Sequence, residues 1–504
     1  MDSGNKRKHP IAFSVNHSSP PASGGLFFIP PIYYFHQQTI AVQPNLTSQY
    51  FQEYFEMKRE KIRDILGRER AGENLVAAGW ARSARLSQNV AFIDLTDGST
   101  PSGLQVVLNP ETEGFELMER VHTGSSVSVE GTLADSPGKG QKFELQATSV
   151  TLLGEADPET YPIQKKKHTM EFLRTKAHLR VRTNTFAAVF RLRSHLSQGI
   201  HDFFRRKGFY YIHAPIITTS DCEGAGQMFQ VKTAGEDEFF GRPAWLTVSG
   251  QLEAELMALG LGEVYTFGPT FRAENSNTPR HLSEFWMVEP EMAFYDLTDN
   301  MDLAEEFIKG LLTYMIDNDL EDLEFMQRWY QQGLLEQLEQ IIARPFERLS
   351  YTEAIGLLNS SGKNFEYPTD WGNDIQTEHE RYLSEEKVGG PLILFDYPAK
   401  IKPFYMRLSD DGKTVGAMDV LLPRIGEIVG GSQREERYDV LLGRIRKQGL
   451  NEDAYEWFLD TRRFGTVPHS GFGLGLERML LFLSGMANIR DVIPFPRTPG
   501  NAEF

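Results

Sequence analysis

Apolar residues between Leu75 and Leu153 fall into five short runs, LVAAGWARSA, VAFIDLTDG, GLQVVL, SSVSVEGTLA and KFELQATSVTLL, with turns at Asp97-Gly98 and Pro137-Gly138. Short strands at this spacing predict an OB-type β-barrel within residues 57–160. The period then changes. Phe186, Val189, Phe190, Leu196, Ile200, Phe203 and Phe204 recur close to helical spacing, Gly208 supplies a stop, and FYYIHAPIIT follows as a strand containing Pro215. Val264–Phe271 and Glu284–Val288, rich in β-branched and aromatic residues, flank the polar stretch Asn275–Arg280 and predict a hairpin with a long loop. Alternation along its first strand puts Arg272 and Glu274 on one face, Phe271 and Ala273 on the other. Residues 296–348 read as a helical insert with Phe307, Leu311, Leu312 and Met315 on one face. GFGLGLERMLLFLSG, at 471–485, reads as a glycine-rich strand entering an apolar helix.

A chain of 504 residues is long enough for two or three domains with substantial cores. No apolar run reaches the roughly 18 residues a membrane-spanning helix needs. A formal charge of −17 argues against general polyanion binding, so any RNA contact must use a local basic surface. The single cysteine, Cys222, excludes an intrachain disulfide framework and a cysteine zinc cluster, and fits a reducing, cytoplasmic setting. Residues 1–56 carry Pro10, Pro20, Pro21, Pro30 and Pro31 among Ser, Gly and Asn, the composition of a disordered extension. Residues 161–182 form a hinge segment in which Lys165, Lys166, Lys167 and His168 make a basic patch, suited to phosphate contact or to plain solvation.

Candidate chemistry gathers in four places. Arg272 and Glu274 stand beside a loop holding Arg280 and His281, and the planar guanidinium fork donates to two phosphate oxygens at once. Asp419 and Glu427 precede a double glycine and Arg434; paired carboxylates suit Mg²⁺, which takes oxygen ligands. SDCEGAGQMF is a polar, glycine-rich loop holding Glu223, and TVSGQLEAE carries Gln251 and Glu255. Other chemistries drop out: SSGKN at 360–364 lacks both the glycine spacing and the Ser or Thr of a phosphate loop, and neither G-x-S-x-G nor H-E-x-x-H occurs.

Taken in order, the helix–glycine–strand–proline stretch, FRAENSNTPRHLSEF and GLER resemble motifs 1, 2 and 3 of the class II aminoacyl-tRNA synthetases. The barrel resembles the anticodon-binding domain of class IIb, the Asp, Asn and Lys group, and the resemblance covers residues 60–504. It implies an α+β protein: an N-terminal OB-fold barrel, then a class II catalytic domain at 183–504 with an antiparallel sheet flanked by helices, assembled as a homodimer. It assigns Arg272 and Arg478 to catalysis at the ATP phosphates, with Glu274, Arg280 and His281 also on ATP and Phe285 stacked on adenine. Glu223, Gln251, Glu255 and Arg434 would bind the amino acid, and Asp419 and Glu427 the Mg²⁺. Phe92 would stack on an anticodon base, Gln105 and Glu144 read base edges, and Arg82 and Arg85 hold phosphates. Aspartyl members place a lysine three residues after the glutamine, where Ala254 stands here. Glu255 then accepts from an amide and repels a second carboxylate, which implies asparagine and tRNA(Asn) as substrates. An aspartyl enzyme of relaxed specificity, a non-catalytic tRNA-binding paralogue and an amide-forming asparagine synthetase are the alternatives. The first should carry the lysine, the second should lack Arg272, Arg478 or the carboxylates, and the third should lack the barrel.

Overall fold

The computed structural model describes residues 58–138, 140–220, 228–235 and 239–504; the expected extension at 1–56, and Cys222, Glu223 and Gln227 of the glycine-rich loop, lie outside them. Strands β1 (Asn74–Leu86), β2 (Ala91–Thr96), β3 (Leu104–Leu108), β4 (Ser126–Asp135) and β5 (Phe143–Gly154) close into a barrel in the order β1-β2-β3-β5-β4. Alternation sorts its side chains: Ala91, Ile93 and Leu95 of β2 point into the core, while Phe92, Asp94 and Thr96 point out. Ile62 and Ile65 of a short preceding helix close one end of that core.

The second body is built on an eight-stranded sheet. Its strands are β6 (Tyr210–Tyr211), β10 (Glu263–Phe271), β11 (Glu284–Ala293), β12 (Glu347–Ser350), β13 (Leu392–Pro398), β14 (Thr414–Leu422), β15 (Gly426–Gln433) and β16 (His469–Gly475), in the order β12-β13-β14-β15-β16-β11-β10-β6. The pairings are antiparallel through the middle, but the outermost pairs, β12 with β13 and β6 with β10, are parallel. The expected antiparallel sheet is therefore mixed at both edges. FYYIHAPIIT is not one strand: only β6 and a second short piece, β7 (Ile217–Thr218), are extended and paired. Pro215 lies between them and offers no N–H to a ladder. β7 joins β8 (Gln230–Val231) and β9 (Ala244–Leu246) in a separate small sheet.

Helix α1 (Asn184–Lys207) starts where the Thr183 side chain accepts from Phe186 N and stops at Gly208, whose φ of 88° a side chain would resist. Its buried stripe, Val189, Leu192, Leu196, Ile200 and Phe203, packs with Phe307, Leu311 and Met315 of α3 (Leu297–Trp329), introduced after the shorter α2 (Gln251–Leu261). The later helices α4 (Leu334–Ala343), α5 (Glu456–Arg463) and α6 (Leu476–Ser484) complete the flanks that matter below. Arg191 of α1 joins the two bodies. It grips Asp322 of α3 with Nε and Nη2 (2.8 and 2.6 Å) and donates from Nη1 to the Gly98 carbonyl at the barrel's edge (2.7 Å). Thr100 beside it donates to Glu321 at 2.9 Å. Among the described residues no helix is long and apolar enough to cross a membrane.

Candidate active site

The β10–β11 hairpin sets out the first cluster. β10 ends at Phe271, so Arg272 opens the loop instead of continuing the strand, held by its N–H on the Ser283 carbonyl at 3.0 Å. The expected face-sharing of Arg272 and Glu274 by strand alternation therefore does not apply, because the ladder has already ended. The Arg272 guanidinium carbon sits 5.3 Å from the centroid of the Phe285 ring on β11. Arg478, in the first turns of α6, donates to the Glu427 carbonyl at 3.1 Å. α6 is fixed from both sides by Glu477, which accepts from Trp286 N at 3.0 Å and pairs with Arg193 at 2.7 Å. Burial, together with Arg478, Arg272 and Arg280, pushes the His281 imidazole below its ordinary pKa against the pull of Glu274. That keeps it a neutral partner within a ring of three guanidiniums.

A group of carboxylates faces these cations. Asp419 on β14 pairs across the sheet with Gly430, and Glu427 lies on the adjoining β15. A third, Glu380, was not anticipated; burial, with Glu427 and Asp419 nearby, pushes it up to about 7. It approaches backbone that only glycine allows: Gly426 has φ 76°, and a Cβ there would stand 2.2 Å from Glu380 Oε2. Lys402, also unanticipated, reaches Asp419 at 3.0 Å. Among the described residues no three His, Cys, Asp or Glu side chains converge closely enough to enclose a metal by themselves.

The second cluster is sealed from solvent. Gln251 and Glu255 lie one turn apart on α2, with Gln251 Nε2 donating to Glu255 Oε1 at 3.0 Å. Glu255 and Glu291 are completely buried, and Arg434 is 2 % exposed. Arg434 pairs with Glu291 through Nη2 and through Nε (3.1 Å), donates from Nη1 to Ser432 Oγ at 2.8 Å, and passes 3.8 Å from Glu255. It is not a surface cation paired with its neighbours: Glu435 is taken by Arg437 and Glu436 by Arg407. Glu255 Oε2 accepts instead from Arg462 of α5 at 2.7 Å. Burial alone would raise the Glu255 carboxyl, but Arg462, His469 and Arg434 hold it below the usual carboxylate range. Burial and the Glu255 charge push Glu291 up, against the pull of Arg434. Gly471 makes room for this pairing, since a Cβ there would lie 2.2 Å from the Glu291 carboxyl. Ala254 packs against Ala258 and Val264.

On the barrel, Phe92 projects outward with Arg85 and Val107 as its cross-strand neighbours. Gln105 Nε2 donates to Glu144 Oε2 at 3.1 Å, and Glu144 also accepts from Ser136 and Gln146. Arg82 is committed to the barrel itself, donating to the Pro101 carbonyl (2.9 Å) and to Thr96 Oγ1 (3.1 Å), so the exposed Arg85 is the better placed of the two for phosphate. The fold thus brings Arg272, Arg280, His281, Phe285 and Arg478 to one edge, and Gln251, Glu255 and Arg434 to an adjoining pocket. Sequence reasoning missed Glu291, Glu380, Lys402, Arg462 and His469. His469 opens the glycine-rich strand β16 and could have been suspected; Arg462, in DTRRFG, looks like any solvated helix end.

A closed five-stranded barrel stands ahead of a sheet whose hairpin, double-glycine strand and final strand–helix unit meet at an edge carrying Arg272, Arg280 and Arg478, and this architecture defines a class. The chain belongs to the class II tRNA synthetases (D, K and N), which match residues 169–499, and residues 75–153 match the OB-fold nucleic acid binding domain. It is similar to the asparagine–tRNA ligase of Oleidesulfovibrio alaskensis, 54 % identical over 461 residues that cover 89 % of this chain and 100 % of that one. That of Solibacter usitatus is 58 % identical over 455 residues, covering 88 % and 98 %. The crystal structure of asparaginyl-tRNA synthetase from Pyrococcus horikoshii complexed with asparaginyl-adenylate superposes with a TM-score of 0.80 at 32 % identity, covering 88 % of this chain and 99 % of that one.

Proposed function

We infer that this chain is an asparagine–tRNA ligase, which forms asparaginyl-adenylate from asparagine and ATP and transfers the aminoacyl group to the 3′ end of tRNA(Asn). The observation that carries the reading is Glu255, a fully buried carboxylate 3.8 Å from Arg434, able to accept from an amide N–H. In the first step an asparagine carboxylate oxygen bonds to the α-phosphorus while the bond to the bridging oxygen breaks, and pyrophosphate leaves. In the second, the terminal adenosine hydroxyl oxygen bonds to the carbonyl carbon and AMP leaves with the electron pair. No side-chain nucleophile is required. Arg272 and Arg478 stabilise charge developing on the phosphate oxygens, Arg280 and neutral His281 orient the outer phosphates, and Phe285 carries the adenine.

Asp419 and Glu427 offer oxygen donors and would hold Mg²⁺, which prefers such ligands and needs only one or two carboxylates from the protein. When bound, it supplies charge neutralisation at the phosphates. On the barrel, Phe92, Gln105, Glu144 and Arg85 form the proposed anticodon-reading face. A homodimer is the proposed assembly, supported by the apolar side chains that Tyr210, Tyr211, Ile216 and Ile217 expose along the motif 1 segment; sedimentation velocity tests it. The cytoplasm is the proposed setting.

ATP–pyrophosphate exchange with asparagine and aspartate side by side tests the reaction. Glu255→Gln should weaken asparagine activation and shrink its advantage over aspartate by at least roughly tenfold, since a mismatched hydrogen-bond polarity is costly in a dry pocket. An unchanged asparagine-to-aspartate ratio sinks the pocket assignment.

A further inference from the structure

Glu255 can select an amide only if its carboxylate is held still and kept charged in a site that excludes water. The group in contact with it comes from the opposite end of the catalytic body, 207 residues further along the chain. We propose that Arg462 is the positioning residue for amino-acid selection: it fixes one Glu255 oxygen so that the other faces Arg434 and the substrate side chain. The inference rests on the asparagine-activating reading above.

Arg462 has every means of staying in place. Its Nε donates to the Glu435 carbonyl (3.0 Å), Nη1 to Thr461 Oγ1 (2.8 Å), and Nη2 to Glu255 Oε2 (2.7 Å). The guanidinium also lies 4.1 Å from the centroid of the Phe458 ring. His469 completes the arrangement. Its Nδ1 is 2.8 Å from the Val467 carbonyl, which can only accept, so Nδ1 carries a proton. Nε2 lies 3.2 Å from Arg462 and 3.4 Å from Glu255 Oε2. Arg462, at 2.7 Å, is the nearest charged donor on Oε2, and Oε1 keeps Gln251 at 3.0 Å and Arg434 at 3.8 Å.

An asparagine amide adds no charge to this wall, whereas an aspartate carboxylate adds a second buried anion facing the Glu255 carboxylate. Without Arg462 the Glu255 carboxyl loses its nearest cation and the contact that fixes Oε2, so Oε1 is no longer held toward the asparagine N–H and the discrimination against a carboxylate weakens.

The experiment is pyrophosphate exchange with asparagine and with aspartate on the wild type, Arg462→Leu, Arg462→Lys, Glu255→Gln and the double variant Arg462→Leu/Glu255→Gln, each checked by thermal melt. Arg462→Leu should raise KM for asparagine by roughly thirtyfold, leave KM for ATP within about threefold, and lower the asparagine-to-aspartate ratio of kcat/KM by on the order of tenfold or more. Arg462→Lys should fall between it and the wild type. In the Glu255→Gln background the leucine should change the ratio little, because the two residues act as a unit. A folded Arg462→Leu protein with an unchanged ratio overturns the proposal, as does an equal loss with and without Glu255. Should the leucine variant not fold, Arg462→Lys decides: a ratio down by about threefold supports the role, and a wild-type ratio ends it. A wild type that prefers aspartate would instead overturn the functional reading itself.

Discussion

Arg272, Arg280 and Arg478 stand partly exposed around a loop and a helix start. Arg434, just past the end of β15, and Arg462 on α5 are at most 4 % exposed and each lies against a buried carboxylate. On the proposed function, the difference follows from what each region would recognise. A triphosphate brings its own dense negative charge, so the cations that meet it must remain accessible until it arrives. A side-chain amide brings no charge, so a pocket that is to tell it from a carboxylate must have its ion pairs already closed. The first region should therefore reveal itself in kinetics and the second in stability.

Arg434→Met should give the largest thermodynamic effect of the set. It strands Glu291 in a dry site, and breaking a buried pair on one side costs about 3–5 kcal/mol; urea unfolding should record it, and a loss below about 1 kcal/mol would mean the pocket is wetter than described. Arg478→Lys should barely shift that unfolding curve yet slow asparaginyl-adenylate formation roughly a hundredfold, because the charge survives and the fork does not. Wild-type exchange kinetics in that variant would remove Arg478 from the nucleotide site and collapse the comparison. The smallest effect belongs to the barrel. Phe92→Ala should weaken tRNA use by about 1–3 kcal/mol while amino-acid-dependent exchange stays level. Equal damage in both assays would make Phe92 a packing residue.

How far the sequence was legible divides along the same line. The barrel strands, α1, the hairpin and the strand entering α6 are local patterns, and Arg272, Arg280, His281, Phe285 and Arg478 sit within or beside them. The sealed pairs are not local. Arg434 meets Glu291 across 143 residues and Arg462 meets Glu255 across 207, and nothing in either pair's own neighbourhood announces the partner. Glu291 follows Pro290 in a strand where a carboxylate would ordinarily face solvent; only β16, laid antiparallel beside it with Gly471 opposite, makes room for it inward. The mixed sheet edges escaped for a related reason, since a two-residue strand such as β6 has too few positions to display a period.

Arg191 carries a consequence of another kind. One guanidinium fastens the barrel's edge at Gly98 to Asp322 of the long helix α3, and α1, on which Arg191 sits, packs against the sheet that holds the reactive edge. The span between the two ends of the molecule is thereby set as on a caliper. A substrate small enough to occupy one end would be indifferent to the setting of the jaws, whereas one long enough to touch both would have to fit the span.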